Sequence, residues 1–251
     1  MMKYFLPLLF FFCLTTGVSA ETDLTATLPE QIPAHVQSIE EENTAEQENE
    51  VIIDSEAEEL TEQWLEKSDI EITNPHLIIQ LNETEVNRSI FAFGYSSEVY
   101  LGRWPLSYQT SESSVNWSYQ KINDNYLAGD ELNYLQIEEQ KVSGGLQSSV
   151  DQSEQVQNMI LKDVTERIKW PIDYQATFGA NTEKTLPMSN DSGAERLEAY
   201  VGAVKETGTI TYGEVYLTMT GRKQELTIKN IVEEEVTAWL PVKNHLAFHL
   251  K

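Results

Sequence analysis

Val115-Asn116-Trp117-Ser118-Tyr119-Gln120 alternates large and polar side chains with a period of two. Successive side chains of a strand point to opposite faces, so this run reads as a half-buried strand with Val115, Trp117 and Tyr119 inward. The same period recurs on both sides of it. Ser89 to Gly102 is rich in aromatic and β-branched residues, with Gly94 placed for a bulge or bend. Tyr134–Val142, Ile172–Phe178, Leu197–Val204, Thr209–Met219, Leu226–Val232, Val236–Val242 and Leu246–Leu250 extend the series to nine strands. Turn signals separate them at Asn123-Asp124-Asn125, Ala128-Gly129-Asp130, Gly144-Gly145, Gly179-Ala180-Asn181, Asn190 to Gly193, Thr207-Gly208 and Gly221-Arg222. One helix interrupts the strands. From Asp151 to Trp170, residues Val156, Met159, Ile160, Val164 and Ile168 share a face, Asp151 or Ser153 can cap the start, and Pro171 ends it. Upstream, Ala57, Leu60, Trp64 and Leu65 form a helical stripe, and Asn74-Pro75 is a helix start with Leu77, Ile78 and Leu81 behind it. The expectation is one α+β domain over residues 54–251: an antiparallel β-rich body, one central amphipathic helix across it, and a short helical N-terminal lead-in.

The N-terminus reads differently. Lys3, the apolar run from Tyr4 to Leu14 and the small residues Val18-Ser19-Ala20 have the order of a secretory signal over residues 1–20. A membrane span needs about 20 apolar residues, so an uncleaved anchor is the alternative, and no stable span is expected after cleavage. Cys13 is the single cysteine, so the exported part offers no disulfide, thiol nucleophile or thiolate metal site. A cysteine-free exported protein of this size points to a bacterium, where the sequons at Asn82, Asn87, Asn116 and Asn190 count as chance. The formal charge is −24, and residues 21–66 hold 15 acids and no Lys or Arg. Residues 21–53 therefore read as a disordered acidic linker, either a spacing arm or a plain solvated tail. Nucleic acid and anionic membrane surfaces need a basic footprint and are poor partners, so no nucleic acid is expected.

No catalytic kit stands out. A Ser–His mechanism lacks a Gly-x-Ser-x-Gly elbow. His245 and His249 have metal-pair spacing only on a helix; on a strand they lie about 13 Å apart. Asn123 to Asn125 lacks the Gly and late Glu of a calcium loop, and Glu233-Glu234-Glu235 reads as a solvated turn. Neither a metal nor another cofactor is expected. Glu214 is the carboxylate to name: it sits between Tyr212 and Tyr216 on one strand face while Val215, Leu217 and Met219 line the other. Such a group can grip a sugar or a peptide amine, or belong to a cross-strand packing row. Trp104, Trp117, Trp170 and Trp239 suit either core burial or an aromatic platform, and Arg103 beside Trp104 can stack or pair with an acid. The candidate ligand surface is Arg103, Trp104, Tyr212, Glu214 and Tyr216.

Several aromatic signatures occur in a recognisable order: Tyr100-Leu101-Gly102-Arg103-Trp104, Asn116-Trp117, Lys121-Ile122-Asn123, Gly144-Gly145-Leu146, Ile210 to Tyr216 and Ala238-Trp239-Leu240-Pro241-Val242. Between about Asn74 and Phe248 the chain resembles the YfkD-like proteins, exported proteins of Bacillus and relatives. The resemblance implies a Gram-positive exported protein and brings no mechanism. The expected function is a non-enzymatic module of the cell envelope or extracellular space that binds a wall component or an envelope protein. The alternative is a carboxylate-dependent hydrolase of wall glycan or peptide.

Overall fold

A computed structural model of the chain describes residues 26–84, 96–127, 131–191, 193–220 and 223–251. The signal-like segment 1–20, Asn87, Gly94 and the turn signals at 128–130 and 221–222 lie outside them. Along the chain run β1 (Ala26–Thr27), β2 (Val36–Ser38), α1 (Glu59–Leu65), α2 (Pro75–Asn82), β3 (Ser96–Tyr126), β4 (Glu131–Gln136), β5 (Gln140–Ser143), β6 (Gly145–Leu146), α3 (Ser153–Ile168), β7 (Gln175–Phe178), β8 (Thr182–Ser189), β9 (Arg196–Thr220) and β10 (Lys223–Leu250).

Strands usually run roughly three to ten residues, but β3, β9 and β10 have 31, 25 and 28. They form an antiparallel sheet in the order β1-β3-β9-β10-β2, with β6 also on β10; β4–β8 and β5–β7 are separate two-stranded sheets. Seven of the expected strands are thereby fused into three, the described end of Ser89–Gly102 and the Val115–Gln120 run being joined in β3. Leu197–Val204 and Thr209–Met219 join in β9, and the last three join in β10. Thr207-Gly208 and Asn123-Asp124-Asn125 favour turns locally, yet ladder partners hold them extended. In the other direction, Tyr134–Val142 is divided between β4 and β5.

The extra residues at every register shift fall on the flanking strands. β3 gains residues against β9 between Tyr100 and Gly102, Pro105 and Ser107, Thr110 and Glu112, Asn116 and Gln120, and Lys121 and Asn123. β10 gains them between Lys229 and Val232 and between Pro241 and Leu246. Bulges bend and twist the strand that carries them, so β3 and β10 wrap around a regular β9. Pro105 sits at one of these bulges, where a missing N–H is tolerated.

Burial along β9 changes parity twice. Leu197, Ala199, Val201 and Ala203 are buried, then Val204, Glu206, Gly208, Ile210 and Tyr212, then Gly213, Val215, Leu217 and Met219. Side chains of one parity share a face, so the covered face switches and switches back. Three cores correspond to the three stretches. β4, β5, β7 and β8 cover the first with Leu132, Tyr134, Val142, Ala176, Phe178 and Leu186. α3 covers the second with Val156, Ile160, Leu161 and Val164. α1 and α2 cover the third with Trp64, Leu77 and Leu81.

The α+β expectation is corrected by this layout. Of the described residues 54% are strand and 15% helical, a mostly-β fold in which the expected single central helix gives way to three short helices, each at the edge of one core. Their starts differ from one another. Asn74 caps α2, its side chain accepting from the His76 N–H at 3.0 Å ahead of Pro75. Neither Asp151 nor Ser153 caps α3; its N-cap is Gln152, left-handed and without a side-chain cap bond.

The segment read as a disordered linker is laid along the body from residue 26 onward. β1 pairs with β3, and β2 pairs with β10. Ile39 is buried among the residues of the first core. Residues 40–58 then form an extended strap held by side-chain amides. The partners of this stretch are on distant elements, which composition does not register. Gly179 lets the strap approach: a Cβ there would stand 2.1 Å from Thr44 Oγ1 and 2.4 Å from the Ala45 nitrogen. Gly179→Ala is expected to lift the strap without unfolding the body. Limited proteolysis should show cleavage within residues 40–58 accelerated at least tenfold, with the melting temperature nearly unchanged.

Candidate functional site

Where α1 and α2 cover one face of the long sheet, the opposite face carries Glu214 and Tyr216. Arg103 is the register partner of Glu214, and Lys229 is its partner on the other side. Tyr216 donates its hydroxyl to Glu214 Oε2 at 2.8 Å, and Asn230 Nδ2 donates to the same oxygen at 2.9 Å. Tyr100 stacks on Tyr216 with ring centroids 4.9 Å apart, and Lys229 Nζ lies 4.3 Å from the Tyr216 ring centre while pairing with Glu98 at 2.6 Å. Tyr100 is 54% exposed. The result is an aromatic and ionic row open to solvent on one side.

The structure separates the five predicted residues into three settings. Glu214 and Tyr216 belong to the open row. Arg103 bends toward Asp151, with which it pairs, and Glu234 at 3.3 Å, and its guanidinium lies 4.8 Å from the ring centre of Tyr212. Tyr212 is fully buried at the parity change, its hydroxyl donated to the Asp151 carbonyl at 2.8 Å. Trp104 packs into the α1–α2 core instead, with Nε1 donated to the Leu101 carbonyl at 3.0 Å.

Environment shows in the phenols. The hydrogen bond to the Glu214 carboxylate, with some burial, pushes Tyr216 up to about 12, whereas burial is the main cause that takes Tyr212 to about 12. A carboxylate that accepts the phenolic proton stabilises the neutral phenol. In Glu214→Gln the Tyr216 titration, followed by phenolate absorbance, is expected to fall back toward 10 while that of Tyr212 stays put.

The tryptophans divide as well. Trp170 is buried and stacks on half-buried Trp117 at 5.5 Å. Trp239 faces away from Ala238 and Leu240, stacked on Tyr119 at 5.0 Å with Lys205 above it at 5.8 Å. Glu233-Glu234-Glu235 lies inside β10 opposite Thr211, Ile210 and Thr209 and is no turn. His249 stacks on Tyr200, and His245 Nδ1 is 2.9 Å from the Lys243 carbonyl. Among the described residues no group of three His, Cys, Asp or Glu is placed to hold a metal.

Sequence reasoning missed Glu206. Its carboxylate is wholly buried and accepts from Tyr108 at 3.0 Å, Thr110 at 2.5 Å, Ser113 at 2.5 Å and Arg167 at 2.7 Å. Burial and this carboxylate raise the Tyr108 phenol well above its ordinary value. The group clasps β9, β3 and α3 together. Beside it lies a cleft of about 320 Å³ lined by Glu71, Thr73, Tyr108, Lys162, Asp163 and Glu166. The signal for Glu206 was present as one acid in the row Val204, Gly208, Ile210 and Tyr212, hidden because Thr207-Gly208 read as a turn.

YfkD-like proteins match over residues 33–251. The chain belongs to the YfkD-like family. The "Uncharacterized protein YfkD" of Bacillus subtilis (strain 168) is 34% identical over 232 residues, which cover 87% of this chain and 85% of that one. No solved structure matches. The family match begins well upstream of Asn74, so the docked strap is part of the YfkD-like unit. No described helix is long and apolar enough to cross a membrane.

Proposed function

We propose that this YfkD-like chain is an exported, non-enzymatic binding module of the Gram-positive cell envelope that contacts a wall component or an envelope protein through the open face of its long sheet. The observation that carries the reading is the row of Tyr100, Tyr216, Glu214 and Lys229, half-exposed on a face that none of the described elements covers. Aromatic rings beside fixed charges favour ligands with both an apolar face and polar groups. Export rests on the order of residues 1–20. Hydrolysis through Glu214 would call for a second carboxyl across a cleft, whereas the groups bonded to Glu214 are a phenol and an amide that hold it as an acceptor.

The test is co-sedimentation of purified residues 21–251 with isolated Gram-positive cell walls across a salt and Ca²⁺ series. Pelleting that persists at high salt and falls at least tenfold in the Tyr100→Ala, Tyr216→Ala double variant supports the reading. A chain that stays in the supernatant throughout overturns wall binding.

A further inference from the structure

The strap is gripped in an unusual way. Asn158, on α3 and only 7% exposed, binds both backbone groups of one strap residue: the Ile53 N–H donates to its Oδ1 at 2.8 Å and its Nδ2 donates to the Ile53 carbonyl at 3.0 Å. Asn82, on α2, repeats the arrangement, accepting from the Glu58 N–H at 3.0 Å and donating to the Glu56 carbonyl at 2.9 Å. At the other end Gln47 of the strap does the same to β7, bonding the Thr177 carbonyl at 2.5 Å and its N–H at 3.3 Å. The edge of β7 is thus closed by a side chain where a further strand would otherwise pair. Two ion pairs fix the register, Lys162 with Asp54 at 2.5 Å and, nearer the start of the strap, Lys184 with Glu42 at 2.6 Å.

The Asn158 and Asn82 contacts are to strap main chain and accept any extended segment with a carboxylate one residue beyond the Asn158 clamp, whereas at the β7 edge the occupant supplies its own amide, as Gln47 does. Strand-adding peptide sites divide affinity from specificity in this way. The strap itself is lightly held. Between Ile39 and Thr61, both essentially inaccessible, no side chain is buried, and Val51 is 78% exposed. Segments with few buried apolar contacts open locally at low free energy, and the two anchors let residues 40–58 lift while the body stays folded.

We infer that the track formed by Asn82, Asn158, Lys162 and the β7 edge is a docking site for an extended acidic peptide of another protein, occupied at rest by the chain's own residues 40–58. This surface is separate from the open sheet face. Bound in cis, the strap competes at an effective concentration of roughly millimolar, so the site takes a partner only when the strap is displaced.

The experiment replaces residues 43–58 in the otherwise intact chain by a Gly-Ser segment of equal length and titrates a fluorescent peptide of residues 43–58 into it. Saturable binding, at least tenfold tighter than to the unaltered chain and weakened at least tenfold by Asn158→Ala, is the expected result. Absent binding, or binding indifferent to Asn158→Ala, overturns the inference. Should the replacement disturb folding, hydrogen exchange on the unaltered chain decides. Excess peptide should speed exchange at the Ile53 amide at least threefold and leave Tyr212 unchanged, and an unaltered Ile53 rate counts against the site.

Discussion

Glu206→Ala is expected to destabilise the protein by about 3 kcal/mol, which for a chain of this size lowers the melting temperature by about 6–12 °C. Removing one partner of a buried ion pair costs about 3–5 kcal/mol when the other charge stays buried. Here the Arg167 side chain is 35% exposed and regains water, which reduces the cost, while Tyr108, Thr110 and Ser113 lose their shared acceptor. Glu206→Gln keeps the volume and some acceptor capacity, so it should cost about half as much. In the double variant with Arg167→Ala the losses should fall short of additive by about 1 kcal/mol or more, as expected for groups in one network. Thermal melts of the unaltered chain, Glu206→Ala, Glu206→Gln, Arg167→Ala and the double variant check all three statements, and additive losses would show that Glu206 and Arg167 act separately.

Gly144→Ala should cost at least as much, by a different route. An added Cβ would stand 2.0 Å from the Trp239 carbonyl oxygen, 2.8 Å from its carbon and 2.7 Å from Pro241 Cδ. Two of these three atoms are backbone of β10, so no rotamer change relieves the overlap. Gly144 also donates its N–H to the Tyr174 carbonyl at 2.8 Å, and the next residue pairs with Trp239. Overpacking of this kind costs about 1–3 kcal/mol, and more where main chain must move. The expected loss is about 3 kcal/mol, read from denaturant unfolding. A change under 1 kcal/mol would show that β6 can slide on β10.

Much of the β character was legible, because period-two alternation depends only on neighbouring residues. Val115, Leu197 to Ala203 and Leu226 lie where that period places them. So does the start of α2, where Asn74 and Pro75 act locally. Strand length was not legible. Thr207-Gly208 and the Asn123 run read as turns on local preference, and only ladder partners on other long strands keep them extended. The site divides along the same line. Glu214 and Tyr216 touch because two residues apart on a strand means one face, whereas the turn of Arg103 toward Asp151 and the burial of Trp104 depend on where helices pack. The strap was least legible of all. Glu-rich composition predicts disorder, and the amides of Asn82, Asn158 and Gln47 that oppose it leave no trace in local pattern.

The two parity changes along β9 have a consequence for biogenesis. Each of the three cores includes residues of both β9 and β10: Val201 with Leu246, Val204 with Leu240, Leu217 with Leu226. A chain that emerges from its N-terminus presents β3 and all three helices long before any of these pairs exists, and such long-range pairing is slow to form. None of the cores can close until the C-terminal strand is available, so the body cannot complete its fold for as long as the 28 residues of β10 are held back.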